Sequence, residues 1–319
     1  MPLTVILATA GYDHTIRFWE PSGTCHRTLQ HPDSQVNALS ITPDREHIAA
    51  AGNPSIRMYE VHTQHPNPVT SYDGHTGNVT AVGFHSECNW MYTASEDGSL
   101  KIWDLRASGC QRNYDVGAAV NHAILHPNQG ELLTADQDGN LSVFDLVADK
   151  CVFSDTSSAG TALRSVAVDP DGVSVVTANN SGDVHVYSAS PTESGFYGLA
   201  SKFSAHDTYV LKVLFSPHGS TLATASADKT IKLWSVAYDA DDVASFELSQ
   251  TLVGHKRWVW DCVFSADSAY IASASSDQVA RLWNVAQGET IRQYAKHHKA
   301  VCAIALNDAA AEDVPSPSS

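Results

Sequence analysis

Residues 223–236 read ATASADKTIKLWSV. Small residues lead into a polar turn at Asp228-Lys229, apolar side chains then alternate, and the run ends on an aromatic, Trp234. A period of two belongs to strands, so the segment predicts two half-buried strands joined by a tight turn, with Ile231 and Leu233 facing one side and Lys232 and Trp234 the other. The same plan recurs in ATAGYDHTIRFWE (8–20), AAAGNPSIRMYE (49–60), YTASEDGSLKIWDL (92–105), LTADQDGNLSVFDL (133–146), VTANNSGDVHVYSA (176–189) and ASASSDQVARLWNV (272–285). Their aromatics, Trp19, Tyr59, Trp103, Phe144, Tyr187, Trp234 and Trp283, are separated by 40, 44, 41, 43, 47 and 49 residues. Self-similarity at this period marks stacked supersecondary units. A histidine gives an independent check: His31, His75, His206 and His255 each precede the aromatic of their copy by 28 residues.

Composition narrows the function. The 319 residues carry 19 Lys+Arg against 35 Asp+Glu, a net charge of −16. That balance repels phosphate backbones and anionic headgroups, so nucleic acid is not expected as a partner. Direct membrane insertion is not expected either, because no apolar run approaches the roughly 18–20 residues that span a bilayer. The six cysteines are scattered with no C-x-x-C pair, and the apolar start MPLTVILATAGYDH reads as a strand rather than a signal peptide. A reduced, cytoplasmic protein is expected. The acidic stretch at 239–242 reads as a solvated loop.

No H-E-x-x-H, G-x-S-x-G or G-x-x-x-x-G-K-[ST] occurs, and the histidines and carboxylates return with the repeat as structural groups do. No enzyme is expected: no catalytic residue, no cofactor and no metal. The pair His297-His298 reads as the histidine of one more copy rather than as two metal ligands. It precedes KAVCAIAL (299–306), which matches the runs VLKVLF (210–215) and VWDCVF (259–264). The chain begins on what are second and third strands elsewhere, so 299–306 is expected to supply the missing inner strand of the first unit. The repeat unit then covers 1–306, and 307–319 is expected to be a disordered tail.

Aligning the copies shows which residue stands just before each inner strand: Gln35, Asn78, Ala119, Ala162, Tyr209, Trp258 and Ala300. Large or polar side chains, Tyr209, Trp258, Gln35 and Asn78, stand on four of five consecutive units, with Ala300 between Trp258 and Gln35, and Ala119 and Ala162 mark the opposite, featureless arc. Trp260 follows two residues after Trp258, and buried aromatics often dominate binding energy. A partner-binding face is therefore expected, with Trp260 divided between that face and a plug of the channel that a closed ring of such units would enclose. The net charge favours a partner surface that is basic or at least not acidic.

These copies resemble the WD-repeat family, whose fold is an all-β propeller of four-stranded blades. The resemblance implies seven blades closed by a C-terminal inner strand that pairs with the N-terminal strands. It also implies internal hydrogen-bond relays: His75, Ser95, Asp97 and Trp103; His206, Ser226, Asp228 and Trp234; and His255, Ser275, Asp277 and Trp283. The copies ending at Phe144 and Tyr187 lack the histidine, which implies incomplete relays there and less rigid blades.

More narrowly, VILATAGYDHTIRFW (5–19), DSQVNALSITPDREHIAAAG with IRMYE (33–60), WMYTASEDGSLKIWDLR (90–106), HPNQGELL (126–133) and SSDQVARLWNV (275–285) resemble the small WD-repeat subunit of TOR kinase complexes. The resemblance implies a non-catalytic subunit that seats on the catalytic region of a TOR-type Ser/Thr kinase and stabilises it in growth and nutrient signalling. The alternative scaffold subunits of the two TOR complexes are its further implied partners, and the kinase complex its route to endomembranes. Gln35, Asn37, Trp258 and Trp260 lie within matching motifs, and Asn78 and Tyr209 join them from the alignment of strand starts. The alternative is a substrate receptor of a cullin-RING ubiquitin ligase, which the W-D-x-R run at Trp103-Asp104-Leu105-Arg106 fits. A heterotrimeric G-protein β subunit is disfavoured by the lack of an amino-terminal coiled-coil helix.

Overall fold

The computed structural model describes residues 5–32, 34–107, 109–156, 158–188, 197–239 and 243–308. Among them the chain forms seven four-stranded antiparallel sheets and no helix. Six sheets take four consecutive strands, with inner strands Ala38–Ile41, Val79–Phe84, Val120–Leu125, Leu163–Val168, Val210–Phe215 and Val259–Phe264 in blades 2 to 7. Blade 1 joins Ile6–Gly11, Thr15–Trp19 and Cys25–Gln30 to an inner strand from the far end of the chain, Val301–Asn307. Its register runs from Ile6 opposite Asn307 to Gly11 opposite Val301. Each inner strand packs against those of both neighbouring blades, so the array is a closed ring, a seven-bladed β-propeller.

The closing strand differs slightly from the sequence expectation. It extends to Asn307, and the next residue, Asp308, accepts the Ala266 N–H at 2.9 Å. The propeller's contacts therefore run past 306, and the tail expected to be disordered lies, from residue 309 on, outside the described residues. The acidic stretch expected as a solvated loop starts at Asp239, whose carboxylate accepts the Val243 N–H at 2.9 Å between the long strands Thr230–Tyr238 and Ala244–Val253. Residues 240–242 lie outside the described residues.

The core is divided among seven wedges, each between two successive blades. Ile231 and Leu233 pack into the wedge shared with blade 7. Trp234, pointing the other way, packs into the wedge shared with blade 5. The strands expected to be half-buried are thus buried on both faces, because a ring gives every sheet a neighbour on each side.

Within three blades the aromatic, histidine and aspartate meet through one hydroxyl. Trp103 Nε1 donates to Thr93 Oγ1 at 2.8 Å, that hydroxyl lies 2.8 Å from His75 Nε2, and His75 Nδ1 lies 3.0 Å from Asp97 Oδ2. A carboxylate only accepts, so Nδ1 carries the proton. Burial, opposed by Asp97, lowers the His75 pKa, so the ring is neutral and Nε2 accepts from Thr93. The sets Trp234–Thr224–His206–Asp228 and Trp283–Ser273–His255–Asp277 repeat this geometry. Gly254 makes room for it, since a Cβ there would stand 2.9 Å from the Trp283 ring.

The hydroxyls expected in these relays were Ser95, Ser226 and Ser275, and this is corrected: each lies two residues past the one that joins the rings. Ser95 instead accepts the Asp97 N–H, and Ser226 and Ser275 accept those of Asp228 and Asp277 while donating to the carbonyls of Tyr209 and Arg257. A fourth relay closes blade 1. Trp19 Nε1 donates to Thr9 Oγ1, His297 Nε2 contacts that hydroxyl, and His297 Nδ1 lies 2.8 Å from Asp13 Oδ2. Both ring nitrogens of His297 are therefore engaged, and the two chain ends are tied through buried polar groups whose loss costs about 1–3 kcal/mol each. In blade 2 the Tyr59 hydroxyl meets His31 directly at 3.1 Å. In blades 4 and 5 the turns close instead on Asp136 and Asn179, whose side chains accept N–H groups across the turn.

Candidate protein-interaction face

Six of the seven residues before the inner strands, all but Gln35, make the same backbone contact in the ring. The carbonyls of Ala300, Asn78, Ala119, Ala162, Tyr209 and Trp258 accept the N–H of Tyr12, Glu96, Gln137, Asn180, Ala227 and Ser276, all at 2.9–3.1 Å. What differs is the side chain each position presents. Tyr209 and Trp258 are 40% and 41% exposed, high for aromatics of this size. They meet edge to face with ring centroids 6.0 Å apart, and Trp258 lies 5.6 Å from Trp260. Three aromatics from blades 6 and 7 thus form one continuous patch at the mouth of the channel.

That channel runs between the inner strands as a cavity of about 670 Å³ whose lining includes Gln35, Asn37, Asn78 and Trp260. Trp260 therefore lines the channel and also lies against the Trp258 ring. Its indole donates to Ser276 Oγ at 2.6 Å, which fixes the ring. Asn37 Nδ2 donates to the Val79 carbonyl at 3.2 Å, and Asn78 Nδ2 to the Glu96 carboxylate at 2.7 Å. The Asn78 Oδ1 atom is buried without a partner. Gln35 borders the same cavity, half-buried. All six sequence-selected residues thus border one mouth or the patch beside it.

Sequence reasoning missed a second ring. In six blades the inner-strand register shifts by one residue. The extra residue, Cys302, Thr80, Asn121, Arg164, Leu211 or Trp260, borders the channel. A bulge re-aims one side chain without breaking the alternation around it. Thr80 and Asn121 reach the carbonyls of Val120 and Leu163 on the next blade, at 2.8 and 2.7 Å. Arg164 makes the arc of blades 4 and 5 polar, where the alanines at 119 and 162 read as featureless. Ala162 is itself only 5% exposed and presents nothing to a partner.

One residue deeper stands a charged cluster. Lys212 Nζ lies 3.0 Å from His122 Nε2 and 3.5 Å from Asp261 Oδ1. Burial first, and then the Lys212 charge, push the His122 pKa well below its usual value, so His122 is a neutral acceptor. Among the described residues no three His, Cys, Asp or Glu side chains converge as a metal site would require. The W-D-x-R run ends a strand and enters a turn: Trp103 is buried in the strand Ser99–Asp104, and the Arg106 N–H donates to the Asp104 carboxylate at 2.8 Å.

The family model described as "WD domain, G-beta repeat" matches residues 23–60, 66–104, 198–235 and 246–284. The target of rapamycin complex subunit LST8 of Saccharomyces cerevisiae is 51% identical over 308 residues, 96% of this chain and 100% of the relative. The chain belongs to the LST8 family of target of rapamycin complex subunits. The Schizosaccharomyces pombe target of rapamycin complex subunit wat1 is 48% identical over 307 residues, 96% of each chain. The LST8 subunit of Mus musculus is 45% identical over 317 residues, 95% of each chain. Likeness at this coverage includes every blade, so the aromatic patch lies on a family member's propeller. These relatives do not favour the cullin-RING alternative.

Proposed function

We propose that this propeller is a non-catalytic subunit that binds and stabilises the catalytic region of a TOR-type Ser/Thr kinase in growth and nutrient signalling complexes. It seats on the kinase through the face formed by Gln35, Asn37, Asn78, Tyr209, Trp258 and Trp260. One observation carries the reading: Tyr209 and Trp258 stand out in the solvent in mutual contact and against the fixed ring of Trp260. Preformed, exposed aromatics lose little side-chain freedom on binding and are typical anchors. The alternative scaffold subunits of the two TOR complexes are the further partners in this reading, which has the protein act in the cytoplasm and reach endomembranes with the kinase. Affinity purification of the full chain followed by mass spectrometry tests it. Recovery of a TOR-type kinase at a fixed ratio to the chain is the expected result, and recovery of a cullin adaptor without a kinase would contradict it.

A further inference from the structure

Arg164 is fixed in place by two neutral side chains. Its Nε donates to Asn180 Oδ1 at 2.8 Å and its Nη1 to Asn121 Oδ1 at 3.4 Å. Both acceptors are neutral amides, and Asn121 is itself held by its bond to the Leu163 carbonyl. Elsewhere Arg17, Arg106 and Arg112 lie 3.9, 3.4 and 3.4 Å from an aspartate. Among the described residues Arg164 has no carboxylate within 4.0 Å. The other cation of the channel wall, Lys212, has its charge answered by Asp261 at 3.5 Å. A chain of net charge −16 thus presents, at the rim of its channel, an oriented guanidinium that no carboxylate among the described residues satisfies.

We propose that Arg164 receives a carboxylate side chain, Asp or Glu, of the segment that docks on the aromatic face. The inference rests on that docking reading and adds the chemistry of one contact. A single negative charge balances Arg164. A phosphate dianion would leave a charge in excess and would share the cavity with Glu96 and Asp261. The net charge of the chain disfavours acidic partners at long range, but charges beyond about 8 Å are largely screened at physiological salt, so inside the mouth the local guanidinium governs. A guanidinium pre-oriented by two amides offers a carboxylate charge-assisted hydrogen bonds at little entropic cost.

The test uses the full chain and the kinase catalytic region, with melting temperatures followed in parallel. Arg164→Gln is expected to weaken binding about tenfold or more and to flatten its salt dependence. Arg164→Lys places an amine at the same spot. Carbodiimide treatment of that complex is expected to join the amine to an Asp or Glu of the kinase as an amide, with loss of water to the reagent, mapped by mass spectrometry. Binding of the Arg164→Gln variant at wild-type strength, while Trp258→Ala weakens it, would overturn the carboxylate contact and leave the docking face standing. If Trp258→Ala also binds as wild type, the docking face is wrong and this inference falls with it. Should Arg164→Gln fail to fold, the crosslink decides: an intact Arg164→Lys complex with no amide to a kinase acid overturns the proposal.

Discussion

Thr93 and Ser95 differ by two positions and therefore share a face of the same strand, yet Thr93 alone joins Trp103 to His75. The histidine, aspartate and aromatic of each relay were legible in the sequence because their spacing is constant. The hydroxyl was not, because T-A-S and S-A-S offer two candidates on one face. Only the pairing of strands, which sets Trp103 opposite Met91 and Lys101 opposite Thr93, selects between them. Thr93→Val is accordingly expected to cost about 2 kcal/mol more than Ser95→Ala, within the range for stranding buried donors, as read from urea midpoints. The relays also fix a pH response. Burial opposes ionisation of Asp228 and Asp277, but hydrogen bonds from His206 and Thr230, and from His255 and the Lys256 N–H, outweigh it and hold both carboxyls at about 2. Asp13 and Asp97 are lowered further, again by hydrogen bonds that outweigh burial. Carboxyls depressed by folding contribute stability that is complete above their unfolded value of about 3.9 and is lost as pH falls toward 2. The lowered His75 acts in the same direction below its unfolded value of about 6.5. Urea midpoints are expected to fall between pH 4 and 2 in the wild type, and less steeply in Asp277→Asn.

Strands and their order were legible because alternation, turn residues and a period above forty residues agree. The closing strand was legible because KAVCAIAL repeats the inner-strand pattern at the wrong end of the chain. The bulges were not: one inserted residue leaves the alternation on either side intact, and its effect shows only in the register against the neighbouring strand. That is why Trp260 could not be assigned between patch and channel, and why the far arc looked featureless without Arg164. Closure carries the prediction at this scale. Ending the chain after residue 298 removes Val301–Asn307, leaves Ile6–Gly11 with an unpaired edge and opens the wedge containing Val301 and Ile304. The truncated chain is expected to aggregate or to lose the cooperative melting transition. A transition at the full-length temperature would show that the inner strand of blade 1 is dispensable.

At the scale of the whole molecule, the ring gathers residues far apart in sequence at one mouth: Gln35, Asn78, Arg164 and Trp260 come from blades 2, 3, 5 and 7 and border a single cavity. Val147, in the turn after the third strand of blade 4, is 91% exposed and lies on the opposite face. The comparison of those two faces bears on the central claim. The measurement is the Kd of the kinase catalytic region for folded Trp258→Ala and folded Val147→Ser, beside the wild type. Loss of an anchor costs about 2 kcal/mol or more, roughly thirtyfold in Kd. Trp258→Ala is predicted to weaken binding by at least that much and Val147→Ser to leave it unchanged. Wild-type affinity in the first, or a comparable loss in the second, would contradict the assignment of the aromatic mouth as the docking face.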